Sequence, residues 1–354
     1  MGIRESYKWR SKSPGDRGGF SRRALLLGGA ASLHGQQPKA EITEFDLTLI
    51  DDPAVPNELF FVHDHFPQPA GLSSADWKLT VTGAVSAPVS LSFDDLGAFP
   101  RKVLPVSLEC AENPVGGGFV GQAEWAGCAL SGVLAKAKPL DEARFVRLSG
   151  ADGFQHTIAL AKAAHPDTLL ALAMNGEKLP APHGFPVRAL IPGWYGMASV
   201  KWLNRLEVLK DEPAAETYHR QTRSLLAGVS DEGAVTAGAV KSVFSRPVDG
   251  AILTRRGKFI VRGLAWAGEQ VIKSVELSLD GGKTWRAARL DDAKPAPYAW
   301  TRWSWDWMVA AAGEFSLTVR ATDASGRQQP GERAANRVDN LEWDAWQTIR
   351  VKVS

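Results

Sequence analysis

One cysteine stands at the end of a short apolar run, where the sequence could do metal or redox chemistry. Cys110 closes the stretch LPVSLEC and is followed by AENPVGGG, in which one proline and three glycines add little side-chain bulk. Soft metals prefer a thiolate ligand, and a cysteine at a strand end beside glycines leaves room for a large cofactor. The other cysteine, Cys128, opens the helix-like stretch CALSGVLAKA and is predicted to be a buried apolar residue. The alternative is a disulfide between the two cysteines.

Two further stretches concentrate polar side chains that could hold a ligand. ELFFVHDHFPQP contains a His-Asp-His run at 63–65, which could ligate zinc or serve a structural role. PHGFPVRALIPGWYGMASVKWL is interrupted by prolines and glycines that fix the backbone. An arginine fork and a lysine charge are typical of sites for phosphate or a polar heterocycle. The polar residues of this second stretch are His183, Arg188, Ser199 and Lys201.

Residues 41–215 are predicted to form an α+β domain that positions these groups. WKLTVTGAV alternates like a strand, and SLSFDDLGAF begins with a Ser92-x-x-Asp95 capping pattern that predicts a short helix. Proline and glycine recur so often that long helices are excluded. A linker is expected at 216–240, where sustained periodicity is lost.

The last segment, 241–354, has the alternating sequence pattern of an all-β domain. VIKSVELSLDGGKTWRAARL alternates apolar and polar residues and turns at Asp-Gly-Gly, and FSLTVRATDASG alternates in the same way. We predict an immunoglobulin-like sandwich of about a hundred residues. In TRWSWDW, three tryptophans at strand spacing predict a core or a subunit interface rather than a cofactor contact.

The order of these motifs resembles the sulfite oxidase family of molybdenum enzymes. The resemblance rests on six stretches, which are FVHDH at 61–65, CAEN at 110–113, GADG at 150–153, MNGEKLPAPHGFPVR at 174–188, PGWYG at 192–196 and SVKWL at 199–203. The β half, with FSRPVDGAIL and VELSLDGGKTW, looks like the family's dimerisation domain. The resemblance covers about residues 41–354 and implies a mixed sulfite-oxidase-type catalytic domain followed by the sandwich.

By this resemblance, Cys110 is the single protein thiolate on molybdenum, beside the dithiolene of one molybdopterin per chain. The family's pterin-contacting positions fall on residues of four motifs. They are Phe61, Val62, His63, Asp64, His65, Asp152, His183, Arg188, Ser199, Val200 and Lys201.

The departures from the family pattern bear on the substrate. Sulfite-oxidising members carry an arginine where this chain has His63, and another just after C-A-G-N, where it has Pro114 and Val115. Their linker tyrosine falls near Arg223. Each charge-assisted hydrogen bond to an oxyanion contributes about 1.5–3 kcal/mol, so sulfite should bind weakly. We expect a neutral or cationic substrate, such as a sulfoxide. A sulfite or sulfane-sulfur dehydrogenase, with arginines supplied from elsewhere, is the alternative.

Side chains near the motifs could shape the substrate pocket further. Glu109, Glu112 and Asp64 would repel an anion if they face the pocket, and the alternative is that they face solvent. Trp194 and Tyr195 are candidate pocket walls, with structural packing as the alternative.

The amino-terminal residues suggest an export signal. Of the first 23 residues, seven are basic and two acidic, while the whole 354-residue chain has a net charge of only +2. Nothing in the remainder suggests nucleic-acid binding. SRRALLLGGAASLHG places an arginine pair before a short apolar stretch, which predicts a twin-arginine signal within residues 1–40 and a periplasmic location. A disordered basic tail is the alternative.

These observations together predict an exported molybdopterin oxidoreductase. No C-x-x-C-H haem motif is present, so electrons should leave to, or arrive from, a separate partner, for which a c-type cytochrome is the expectation. The β domain favours a homodimer. A non-catalytic exported binding module that kept the fold is the alternative from another class.

Overall fold

The computed structural model describes residues 40–50, 52–213, 235–254, 256–291, 296–334 and 341–354. The predicted export signal, most of the predicted linker and Arg223 lie outside these ranges. Among the described residues, no helix has the length and apolar character needed to cross a membrane.

The first half is built on two five-stranded sheets and a small strand pair. The first sheet is antiparallel and contains β5 (Arg101–Glu109), β6 (Val120–Ala129), β9 (Leu169–Met174), β10 (Glu177–Lys178) and β11 (Arg188–Leu190). The second contains β3 (Lys78–Gly83), β4 (Val89–Ser92), β7 (Phe145–Gly150), β8 (Gln155–Ala159) and β12 (Leu203–Leu209). In it β12 runs parallel to β3, and every other pair is antiparallel. The strand pair is β1 (Ile42–Thr43) with β2 (Val62–His63).

Helices are few and short in this half, as the density of proline and glycine predicted. The described α-helices are α1 (Phe93–Gly97), α2 (Leu130–Ala137) and α3 (Leu160–Ala163), with 3-10 turns at Leu47–Leu49, Ala181–His183 and Gly196–Ala198. At α1 the predicted cap is confirmed. Ser92 Oγ accepts from the Asp95 N–H at 3.1 Å, and the Asp95 carboxylate accepts from the Ser92 N–H at 2.8 Å.

The second half is a sandwich of two sheets around one core. One sheet holds β13 (Lys241–Arg246), β15 (Gly257–Trp266), β18 (Arg289–Leu290) and β19 (Thr301–Val309). The other holds β14 (Ala251–Leu253), β16 (Ile272–Ser278), β17 (Arg286–Ala287), β20 (Gly313–Asp323) and β21 (Gln347–Val353). Trp303 and Trp307 are buried between the sheets, so the tryptophan stripe belongs to the core, as the strand spacing predicted.

A third apolar cluster joins the halves. Trp125 and Leu190 of the first half are buried in one cluster with Val243, Leu264 and Trp300 of the second. Because β5 and β6 are part of this cluster, the strand that leads to Cys110 is packed directly against the carboxyl-terminal domain.

Candidate active site

Cys110 lies at the neck of the β5–β6 hairpin. It follows the last residue of β5, and its N–H donates to the carbonyl of Phe119 at 2.9 Å, just before β6 begins. Cys110 is partly exposed, whereas Cys128 is buried in the core, as predicted, and both thiols are free. The disulfide alternative is therefore wrong, because the two cysteines lie at opposite ends of the hairpin strands, where Cys128 pairs with Arg101.

A cavity opens in front of Cys110 and encloses about 820 Å³, including space that is open to solvent. The structure brings most of the predicted site residues to its wall, although they come from separate stretches of sequence. These residues are Phe61, His63, Asp64, His65, Cys110, Asp152, His183, Arg188, Ser199, Val200 and Lys201.

Three predicted residues do not reach this wall. Val62 is buried away from it because side chains alternate along the β2 backbone, and Phe61 and His63 take the cavity side. Trp194 turns toward the carboxyl-terminal domain, where its Nε1 donates to Glu269 at 3.1 Å. Tyr195 is buried behind Ala111. The prediction that Trp194 and Tyr195 are pocket walls is corrected to structural packing for both.

His63 connects Cys110 to an acid. Its Nδ1 lies 3.3 Å from Cys110 Sγ, and its Nε2 lies 3.9 Å from a carboxylate oxygen of Glu112. Among the described residues, these three offer ligand atoms within 4.8 Å of one another, a spacing that suits a metal ion. The metal-compatible group therefore includes one member of the His-Asp-His run and not the run as a whole.

Asp64 and Lys201 neutralise each other beneath the cavity. Lys201 Nζ bonds Asp64 Oδ1 and also donates to the carbonyl of Pro182 at 2.9 Å. The Asp64 side chain is fully buried, and its Oδ2 has no hydrogen-bond partner. Burial lowers the pKa of Lys201, and the Asp64 charge opposes that shift.

Arg188 is held by backbone carbonyls instead of acids. Its Nη1 donates to the carbonyl of His183 at 3.1 Å and its Nη2 to that of Ser199 at 2.8 Å, while its buried Nε lacks a partner. The guanidinium carbon lies 5.0 Å from the centre of the Trp125 ring. Because carbonyls leave the positive charge uncancelled, Arg188 can attract an anionic part of a ligand.

Burial shifts the pKa values of two further polar residues of the cavity. Burial lowers the pKa of His183 to about 4, and its Nε2 donates to the carbonyl of Asn57 at 2.8 Å, which leaves Nδ1 as an acceptor. Burial also raises the pKa of Asp152, whose carboxylate accepts from the Phe154 N–H at 3.1 Å. The His65 ring stacks on Phe154 with centroids 5.1 Å apart.

The three acids near the motifs differ in where they lie and in what they pair with. Glu109 does not line the cavity and pairs with Lys241 in the interior. Asp64 lines it but is paired with Lys201, whereas Glu112 lines it beside His63. Of the three acids, Glu112 is the one placed to oppose an anion in the cavity.

Several cavity residues could not be predicted from the sequence, because apolar side chains do not indicate a site. Leu108, Met197, Trp202 and Leu341 are apolar wall residues. Leu341 comes from the carboxyl-terminal domain, and no local pattern indicates that a residue so distant in sequence would face Cys110. Arg101 lies at the start of β5, the end far from Cys110, so this arginine does not replace the ones that sulfite-oxidising members carry.

Comparison with known proteins agrees with this arrangement. Residues 65–218 match the oxidoreductase molybdopterin binding domain, and residues 233–354 match the Mo-co oxidoreductase dimerisation domain. Sulfite oxidase of Gallus gallus is 34% identical over 313 residues, which cover 78% of this chain and 68% of that protein. The chain belongs to the sulfite oxidase family. Its cofactor is therefore molybdenum bound to molybdopterin, and the predicted alternative of a non-catalytic binding module is wrong.

Two further relatives of the sulfite oxidase family are informative. Mitochondrial sulfite oxidase of Homo sapiens is 33% identical over 94% of this chain, and the chain spans 66% of that protein, just under two thirds of its length. The crystal structure of the sulfane dehydrogenase SoxCD from Paracoccus pantotrophus superposes with a TM-score of 0.80 at 29% identity, covering 92% of this chain and 87% of that one. The likeness to SoxCD extends over both halves.

The residues present fit the family's cofactor. Cys110 offers a soft thiolate ligand, and the cavity in front of it has space for a large planar group. The unpartnered Asp64 Oδ2 and Arg188 Nε are an acceptor and a donor of the kind that a polar heterocycle would satisfy. Burial raises the pKa of the Cys110 thiol to about 12, so a bound metal ion would be needed to hold it as a thiolate at neutral pH.

Proposed function

We propose that this chain catalyses two-electron oxygen-atom transfer on a neutral or cationic substrate, with Cys110 as the protein ligand to molybdenum. The observation that supports this most directly is that His63, beside Cys110, stands where sulfite-oxidising members carry an arginine, and that the acid Glu112 lies next to it. The cations at the cavity wall are Lys201, which is paired with Asp64, and Arg188, which is held by carbonyls. A divalent oxyanion would meet the acid Glu112 at this point, while the charge of Lys201 is offset by Asp64 and that of Arg188 would serve the pterin.

The pterin would be held by the residues that surround the rest of the cavity. Arg188 provides positive charge, Lys201 Nζ provides a donor, His183 Nδ1 provides an acceptor, and Asp64 Oδ2 provides a buried acceptor for an N–H group. When bound, the molybdenum cofactor supplies the two-electron redox change. These side chains would bind and orient the cofactor and exclude water from it.

Steady-state assays test the substrate assignment. With reduced methyl viologen as electron donor, we expect reduction of a neutral sulfoxide to the sulfide and water at a rate that is insensitive to salt. With ferricyanide as electron acceptor, we expect sulfite oxidation only at high sulfite concentration. The salt comparison is informative because screening weakens attraction of an anion but leaves a neutral substrate unaffected. Efficient turnover of micromolar sulfite would contradict the proposal.

Cys110→Ser tests the ligand assignment. We expect turnover to be lost while the pterin stays largely bound, because the pterin is held by the other cavity residues and not by the thiolate. Pterin content can be measured by fluorescence after oxidative release, with Cys128→Ser as the matched control. Full activity in the Cys110 variant would contradict the assignment.

Sulfane-sulfur oxidation is the second candidate, because SoxCD, a sulfane dehydrogenase, is similar over 92% of this chain. In that case the substrate would carry a reduced sulfur and electrons would pass to a c-type cytochrome. A persulfide-bearing peptide tested beside the sulfoxide separates the two. Reduction of cytochrome c by the persulfide, without reduction of the sulfoxide by an added electron donor, would favour the sulfane candidate.

We also infer the setting in which the enzyme works. The arginine pair at 22 and 23 supports export to the periplasm by the twin-arginine route, as a folded protein with its cofactor. The match to a dimerisation domain supports a homodimer through the immunoglobulin-like second half. Replacing both arginines by lysine should retain the protein in the cytoplasm, and unchanged export would contradict the inference.

A further inference from the structure

A buried ion pair ties the residue before Cys110 to the carboxyl-terminal domain. Lys241 Nζ donates to Glu109 Oε1 at 2.7 Å, and the two side chains are only 2% and 5% exposed. Trp266 Nε1 donates to Glu109 Oε2 at 2.8 Å, and Asn113 Nδ2 donates to Oε1 at 3.0 Å. The Glu109 carboxylate therefore accepts three hydrogen bonds, two of which come from β13 and β15 of the second half.

The same carboxylate is connected to the backbone of Cys110 through Asn113. The Asn113 N–H donates to the Cys110 carbonyl at 3.0 Å, and Asn113 Oδ1 accepts from the Phe119 N–H at 3.0 Å. Phe119 in turn accepts the Cys110 N–H. Cys110 is thus bonded at both its backbone groups within a loop whose side-chain anchor is Glu109.

The carboxyl-terminal domain contacts this loop at a second point. The Glu342 N–H donates to the carbonyl of Ala111 at 2.8 Å, and Leu341 packs against Ala111 at the cavity wall. Residues on both sides of Cys110 are therefore attached to the second half, one through a side chain and one through the backbone.

A buried ion pair adds little net stability to the contact between two domains. Removing two charges from water costs about as much as their attraction returns, and apolar residues of the same size would hold the interface at least as well. What the pair adds is direction, because each hydrogen bond fixes the carboxylate at one angle and distance.

We propose that Glu109, Lys241 and Trp266 are positioning residues, through which the carboxyl-terminal domain sets the orientation of Cys110 toward the metal. This inference rests on the proposed role of Cys110 as the molybdenum ligand. Outer partners of metal ligands orient those ligands and tune the metal, and this network would do so through the Cys110 backbone.

The first test is the electron paramagnetic resonance signal of Mo(V) in the purified holoenzyme, generated by partial chemical reduction so that no substrate is needed. The variants are Glu109→Gln and Trp266→Phe. The second removes one donor and leaves the charges paired, so it should fold even if the first does not. The control is Glu269→Gln, which breaks the interdomain pair of Glu269 with Lys162, neither of which lines the cavity in front of Cys110.

We expect both network variants to retain molybdenum but to show shifted Mo(V) g-values, and the control to match the wild type. A signal that is unchanged in Trp266→Phe and in any folded Glu109→Gln protein would overturn the inference. If Cys110→Ser also gave the wild-type signal, the proposed ligand role itself would be wrong, so the two failures are distinguishable.

The second test uses the full-length protein without cofactor and measures alkylation of Cys110 by N-ethylmaleimide. Loss of one hydrogen bond to a charged group should raise the frequency with which the loop opens, so we expect the Cys110 rate to rise about tenfold in Trp266→Phe. Buried Cys128 serves as the internal reference, and its rate should not change. Equal Cys110 rates in wild type and variant would overturn the inference.

Discussion

His63 is the residue that bears most on the substrate. It contacts Cys110 through Nδ1 and faces Glu112 through Nε2, so the group nearest the proposed metal ligand is an imidazole backed by a carboxylate. An arginine here would bring a permanent positive charge and a bidentate fork to the same place. Selection between an oxyanion and a neutral substrate is therefore expected to depend on these two side chains.

The double substitution His63→Arg with Glu112→Gly tests this at the residue scale. It restores the family's arginine and its C-A-G-N sequence, and we expect the KM for sulfite to fall about tenfold to a hundredfold, as one charge-assisted bond predicts. The matched control is His63→Gln with Glu112→Gln, which removes the acid without adding a cation. A KM for sulfite that is equal in the two double variants would contradict the charge argument.

His183 should make the protein's stability depend on pH. Its pKa is lowered from 6.5 to about 4 in the folded state, so the unfolded chain binds the proton first as the pH falls. The contribution that neutral His183 makes to the free energy of unfolding is fully present above pH 6.5 and is lost as the pH falls from 6.5 to 4. Relative to His183→Gln, the cofactor-free wild type should lose about 2 kcal/mol more between pH 7.5 and 4.5, measured by urea denaturation. Parallel pH profiles would contradict this prediction.

The cavity residues with chemical side chains could be predicted from their motifs, because the same stretches that fix the backbone also carry the polar groups. Val62 could not be placed correctly, because neighbouring side chains of a strand face opposite ways. Leu341 could not be found at all, since an apolar residue gives no signal of the distant partner on which it packs. Glu109 was expected either in the pocket or in solvent, and the interior pair with Lys241 required knowledge of the domain contact.

At the scale of elements, the short helices depend on local capping more than on length. The five-residue helix α1 buries only Leu96, and its first turn is closed by the reciprocal bonds of Ser92 and Asp95. A helix this short is not stable by propagation alone, so the cap contributes a large share of its local stability.

Ser92→Ala should therefore destabilise the protein by about 1 kcal/mol, the usual cost of losing an N-cap. The expected result is a lower urea midpoint with an unchanged slope. Ser90→Ala, at an exposed position of the adjacent strand β4, is the control and should leave the midpoint unchanged. A similar midpoint for both variants would show that the capping box adds little.

The type of an element could be predicted where its sequence periodicity was clear. Which strands pair with each other, and in which direction, was harder to predict. Alternation in WKLTVTGAV and FSLTVRATDASG gave β3 and β20 correctly, and the capping pattern gave α1. The parallel pairing of β12 with β3 could not be predicted, because both strands alternate in the same way whichever direction their neighbour runs.

At the scale of the whole molecule, the two halves are joined by an apolar cluster rather than by a linker alone. Leu264 is fully buried in this cluster with Val243 and with Trp125 of the first half. Because the interface is a continuous core, we expect the wild type to unfold in one cooperative transition.

Leu264→Ala should lower stability by about 2–5 kcal/mol and weaken this coupling. Differential scanning calorimetry is expected to show a broadened or divided transition in this variant. Leu277→Ala removes a similar volume from the core of the second half alone and should lower the melting temperature without dividing the transition. Division in both variants, or in neither, would contradict the role assigned to the cluster.

Leu341, on the cavity wall, has a consequence for biosynthesis. The thiol at position 110 emerges from the ribosome long before position 341, so a nascent chain presents the proposed metal ligand with one side of its pocket missing. Stable capture of the cofactor must wait until translation has passed the last wall residue. Insertion is therefore expected to follow synthesis of the second half, although that half does not carry the proposed metal ligand.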